Sequence, residues 1–99
     1  MDTPSNMTII NKTALTVLAS LANTAVLHGI WIHTALAGTV TVGGFADDAG
    51  LAQNFVLPIA TPAGLYSFPR GLINSAGALT VQLSSATDQL RVSALWRRA

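Results

Sequence analysis

Ninety-nine residues with a formal net charge of +1, no cysteine and a 51% hydrophobic share describe a single domain with one modest core, since a chain of this size hides somewhat less than about 70% of its unfolded surface. The lack of cysteine excludes a disulfide framework and thiolate chemistry, and the near-neutral charge gives no electrostatic reason to expect direct nucleic-acid binding. Charged residues make up only 9%, against roughly 25% in an ordinary soluble domain, so some apolar surface is expected to meet another chain.

The first twelve residues read as a flexible N-terminal arm. Met1-Asp2-Thr3-Pro4-Ser5-Asn6 is acidic and polar, without the basic start of a secretory signal. The apolar run Met7-Thr8-Ile9-Ile10 is suited to lie on a neighbour or pair with a sheet edge, which makes Met7, Ile9 and Ile10 interface candidates. A single β domain is expected over residues 13–99. Ala14 to Leu21 is ambiguous between a strand and one short helical turn, because Ala14, Leu18 and Leu21 fit a helical stripe while Thr16 and Val17 favour extension.

From Ala25 the pattern strengthens. Val26, His28, Ile30 and Ile32 alternate with Leu27, Gly29, Trp31 and His33, and both sets are largely apolar, which predicts a central strand. No residue from Thr13 to Ala46 is an acid or a lysine or arginine, and mean hydropathy is +0.51. The stretch is nevertheless broken by Thr16, Ser20, Asn23, Thr24, His28, His33 and Thr34, and never offers the roughly 20 apolar residues that span a bilayer. No membrane partner is expected.

After a turn at Leu36-Ala37-Gly38, Thr39-Val40-Thr41-Val42 alternates as a short strand, and Gly43-Gly44 with Asp47-Asp48-Ala49-Gly50 reads as a loop around Phe45. Asn54-Phe55-Val56-Leu57 is a strand closed by Pro58, and Leu65-Tyr66-Ser67-Phe68 is another, ending at Pro69. Tyr66 and Phe68 share one face beside Arg70, and the three form a second set of interface candidates. Finally, Leu79, Val81 and Leu83, then Leu90, Val92, Ala94 and Trp96, line single faces of two strands, which read as an antiparallel hairpin across Ser84–Asp88. The fold class is all-β: an antiparallel β-sandwich or jelly roll of six to eight short strands.

No constellation of an enzyme stands out. His28 and His33 are five residues apart, an odd separation that turns them to opposite faces of one strand, and no cysteine or glutamate completes a metal site. The serines lack a nucleophile elbow. Asp47-Asp48 has two carboxylates but not the alternating ligands of a calcium loop, and Gly43-Gly44 has no following lysine to hold a phosphate. Asn6-Met7-Thr8 and Asn11-Lys12-Thr13 match the glycosylation triplet, which carries little weight without a secretion signal. No catalytic residue, cofactor or metal is expected.

Taken in order, Thr13-Ala14-Leu15-Thr16, Val26 to Ala35, Gly38-Thr39-Val40-Thr41-Val42, Tyr66-Ser67-Phe68-Pro69-Arg70-Gly71-Leu72, Gly77 to Val81 and Ala86 to Ser93 form a pattern that resembles the small, cysteine-free β-sandwich virion proteins of tailed bacteriophages. The resemblance spans roughly Thr13 to Arg97; the apolar Ala14–Ala25 segment and the Trp-Arg-Arg end depart from it. It implies a non-enzymatic capsid cement or decoration protein, commonly trimeric. Such a protein is made in the bacterial host cytoplasm and seated on the outer capsid surface, with the major capsid protein and copies of itself as partners. The alternatives are a tail, fibre or host-surface attachment module using exposed aromatics and, third, a hydrolytic or metal enzyme.

Overall fold

The computed structural model describes residues 6–20, 24–46, 49–75 and 77–98, with only the backbone of 69 and 70. Eight strands run in chain order: β1 (Asn6–Ile9), β2 (Thr16–Ala19), β3 (Ala25–Ile32), β4 (Val40–Ala46), β5 (Ala52–Leu57), β6 (Gly64–Ile73), β7 (Leu79–Leu83) and β8 (Val92–Arg98), with one 3-10 turn at Ala86–Asp88. They form two four-stranded antiparallel sheets, ordered β1-β8-β3-β6 and β2-β7-β4-β5. The first strand thus pairs with the last, the second with the seventh, the third with the sixth and the fourth with the fifth. This nested order is a jelly roll, a long hairpin folded over into two stacked layers.

Alternation builds the core. From one sheet Leu27, Ile30, Ile32, Val92, Ala94 and Trp96 point inward, and from the other Val40, Val42, Leu57, Leu79, Val81 and Leu83 meet them. In β3 the alternation is shifted by one residue, because His28 is an extra residue between Leu27 and Gly29 relative to β8. That bulge puts Leu27 and Ile30, three apart, on the same inner face.

Buried polar side chains hold the connections that pass between sheets. At one end Asp88, wholly buried, accepts the Ala37 N–H at 2.8 Å and the Gly38 N–H at 2.9 Å, tying the β7–β8 connection to the β3–β4 connection. At the other, Asn74 Oδ1 accepts the Ala25 N–H at 2.9 Å while its Nδ2 donates to the Ser20 carbonyl at 3.2 Å, joining β6–β7 to β2–β3. Thr61 serves β5–β6: its hydroxyl donates to the Pro58 carbonyl, and its own carbonyl accepts the Leu36 N–H. Buried backbone groups must be paired, and irregular crossings cannot pair within a ladder, so side chains take the role.

Several sequence expectations change. β7 and β8 are not a hairpin; they lie in different sheets, because the 3-10 turn and Leu90, exposed at φ 64, carry the chain across the sandwich. Gly43-Gly44 lies inside β4, where the register shifts against β5; Gly44 has φ 108, and a Cβ there would stand 2.4 Å from the Ala78 carbonyl oxygen. β6 continues past position 69 because its bulge, with Gly71 at φ 74, absorbs the interruption. The ambiguous Ala14–Leu21 segment contains a strand, β2; Leu21 itself, like Asp47, Asp48 and Met1 to Ser5, lies outside the described residues. Residues 6–10 of the expected arm belong to the sandwich, as an edge strand followed by the buried Ile10.

Candidate association surface

The inner face of sheet β1-β8-β3-β6 fills the core, which leaves its outer face to be read from the register. One row crosses all four strands as Ile9, Ser93, Trp31 and Leu65; the next runs Met7, Leu95, Gly29 and Ser67; a third holds Arg97, Val26 and Ile73. Ordinarily this face of an antiparallel sheet is polar. Here Met7 is 53% exposed, Ile9 48%, Trp31 41%, Leu65 57% and Ile73 51%, and Arg97 is the single charged side chain among the described positions of these rows. The outer face of the other sheet is more polar, with Thr41, Asn54, Thr80 and Gln82 pointing outward beside the half-exposed Val17 and Val56. The asymmetry between the two faces marks an association surface.

Trp31 occupies the middle of the apolar face and is held there. Its ring lies 4.3 Å from that of His33, centroid to centroid, tilted by 33°, and His33 Nε2 is 2.8 Å from the Ser93 hydroxyl. Ser93 is wholly buried beneath this group, so its hydroxyl orients the imidazole rather than meeting a substrate. His28 sits at the bulge, partly buried, with its Nε2 lacking a hydrogen-bond partner. Among the described residues no three of His, Asp or Glu come together in a metal-holding group, and no helix is long and apolar enough to cross a membrane. A hollow of about 250 Å³ lined by Thr39, Thr41, Gln82, Leu83 and Ser84 lies on the polar side, below the usual size of a small-molecule site.

The interface candidates read from sequence whose side chains are described separate into three groups. Met7 and Ile9 lie on the apolar outer face. Ile10 is wholly buried, its N–H donating to the Val92 carbonyl and its carbonyl accepting the Leu90 N–H, and it contributes to no surface. Tyr66 and Phe68 do share a face, but it is the inner one: both pack half-buried against the core, the Tyr66 hydroxyl donates to the Pro62 carbonyl, and Phe68 meets Phe55 edge-on at 5.3 Å. The Arg70 side chain lies outside the described residues. Trp31, Leu65 and Ile73 were missed as surface residues; the signal that could have found them is the double apolar face of β3, which a single core cannot cover.

No family model, curated protein or solved structure matches this chain.

The face can be weighed. Covering five large side chains that are each about half exposed contributes on the order of 4–8 kcal/mol, taking about 1.5–3 kcal/mol for a full side chain. Losing free translation and rotation on association opposes it by about 4–15 kcal/mol. A single contact of this kind is weak, and several linked contacts are strong.

Proposed function

We propose that this chain is a non-enzymatic structural protein of a tailed-phage virion, a cement or decoration protein on the outside of the capsid that bridges major capsid subunits and associates with copies of itself, as a trimer in the arrangement the resemblance implies. The observation that carries the reading is the apolar face around Trp31, with Met7, Ile9, Leu65 and Ile73 and Arg97 as the single charge described in its rows. A lattice presents many equivalent positions, and a contact too weak alone becomes tight when symmetric copies engage together. The jelly roll carries the face on four hydrogen-bonded strands, and no chemistry is asked of it. The test is co-sedimentation of purified protein with isolated expanded shells. Saturable binding that Trp31→Ser and Leu65→Ser together abolish supports the reading, and absence of binding by folded wild type removes it.

A second reading, a tail, fibre or host-surface attachment module, is favoured by one feature: Trp31 presents its ring on a sheet surface beside His33, where an aromatic face can stack on an apolar sugar face. Binding to host cells or glycans with indifference to shells separates it from the first.

A further inference from the structure

Each sheet has two edges, and three of the four are guarded. β1 and β2 are four residues long, and β2 shifts register between Val17 and Ala19. β6 is interrupted by its bulge, with Pro69 and Arg70 in the sequence there and Gly71 at positive φ. Short strands, bulges, prolines and charges are the usual devices against pairing with another chain. β5 has none of them: Ala52–Leu57 is six residues of uncharged, proline-free strand, the bulge in its pairing lies on β4, and most of it is exposed.

We infer that β5 is a self-pairing edge, through which two copies of this chain join antiparallel and fuse their β2-β7-β4-β5 sheets into one eight-stranded sheet. Alternation restricts the register. Phe55 and Leu57 face inward, and residues directly opposite in an antiparallel pair share a face, so one residue must stand opposite its own copy with the two-fold axis midway between them. With Phe55 opposite its own copy, the two rings lie side by side and Asn54 stands opposite Val56 of the second copy. It also covers the half-buried Phe55–Phe68 pair, whose rings lie at the same open side of the sandwich. The contact is isologous and closes on itself, so it yields pairs rather than filaments. The strand carries no charge to oppose its own copy. This contact uses a different surface from the Trp31 face and does not depend on the function proposed for it.

The test uses the exposed, outward positions 54 and 56. In the register above, Asn54→Lys with Val56→Lys sets lysine against lysine at two places, and Asn54→Glu with Val56→Glu does the same with carboxylates; like charges directly opposite are destabilising. Light scattering after size exclusion is expected to give wild type as two 10.2 kDa chains where the proposed trimer forms only on the shell, or as six where trimers also form in solution and pair through β5. Each double variant is expected at half the wild-type mass with an unchanged β-sheet circular dichroism spectrum, and an equimolar mixture of the two is expected to regain the wild-type mass. A wild-type monomer, an odd-numbered assembly, a mass unmoved by the lysine pair, or failure of the mixture to recover would each overturn the inference. Protection of β5 amides only on adding a foreign protein would also overturn it, assigning the edge to that partner. Shell binding by the lysine variant is read separately: retained binding with halved mass supports both proposals, and lost binding in the Trp31 variant with wild-type mass concerns the face alone.

Discussion

Asp88→Ala is expected to be the most damaging single truncation of a polar side chain in the molecule. The carboxylate is wholly buried and accepts two backbone N–H groups, from Ala37 and Gly38, at 2.8 and 2.9 Å. Hydrogen bonds to a carboxylate contribute roughly 1.5–3 kcal/mol each, and a buried donor left unpaired keeps its full desolvation penalty. Ala37 lies at the surface, where water replaces the lost acceptor, whereas Gly38 is buried and has no such recourse. The loss is therefore about 3–4 kcal/mol, a large part of the roughly 5–15 kcal/mol that holds a domain of this kind together. In urea, with a slope of about 1–3 kcal/mol per molar, the midpoint should fall by on the order of 1–4 M at unchanged slope. Asp88→Asn, which keeps one acceptor for Gly38 while its amide turns toward Ala37, should fall between the variant and wild type. A midpoint for Asp88→Ala within about 0.3 M of wild type would refute the idea that this carboxylate ties the two crossings.

At the opposite end, Asn74→Ala removes the pairings with Ala25 and Ser20 and should cost about 2 kcal/mol, seen as a melting point lower by roughly 8–16 °C. Gly44→Ala meets the Ala78 carbonyl at a φ that side chains rarely adopt, whereas Gly50→Ala at φ 80 meets nothing within 4 Å; the first should lose more than about 3 kcal/mol and the second about 1 kcal/mol in the same denaturation experiment. Leu65→Ser, at an outward and largely exposed position, should change stability by less than about 1 kcal/mol yet lower shell binding in the sedimentation assay. Stability and binding moving together would mean that Leu65 supports the fold and not an interface.

What the sequence made legible follows from what alternation can report. Val92, Ala94 and Trp96, and Leu79, Val81 and Leu83, were readable as inner faces because period two survives in any sheet. The partner of each strand was not readable. Ser84–Asp88 has turn composition whether it closes a hairpin or crosses between layers, and the difference rests on a buried Asp88 whose partners are about fifty residues away. Pro69 and the glycine pair at 43–44 looked like strand ends for the same local reason, since a bulge uses the residues that a loop uses. Tyr66 and Phe68 were correctly placed on one face, but two residues of spacing cannot say which face is inside. The Trp31 surface was half visible: β3 showed two apolar faces, while the neighbours that extend the second across four strands came from register alone.

The nested strand pairing also prescribes an order of assembly. Ala46 pairs with Ala52 across the one short connection, Val26 with Ile73 across a longer one, Thr16 with Val81 across a longer one still, and Asn6 with Trp96 across nearly the whole chain. Loop closure grows less favourable with length, but each outer pair closes around a loop that the pair inside it has already shortened. Folding should start at the β4–β5 hairpin and close outward like a zip, so that destabilising substitutions there slow refolding while those in β1 chiefly quicken unfolding. In that sequence β1, which carries Met7 and Ile9, is the last strand to dock and the first to leave, so the apolar face acquires its outermost strand only when the rest of the sandwich is already in place.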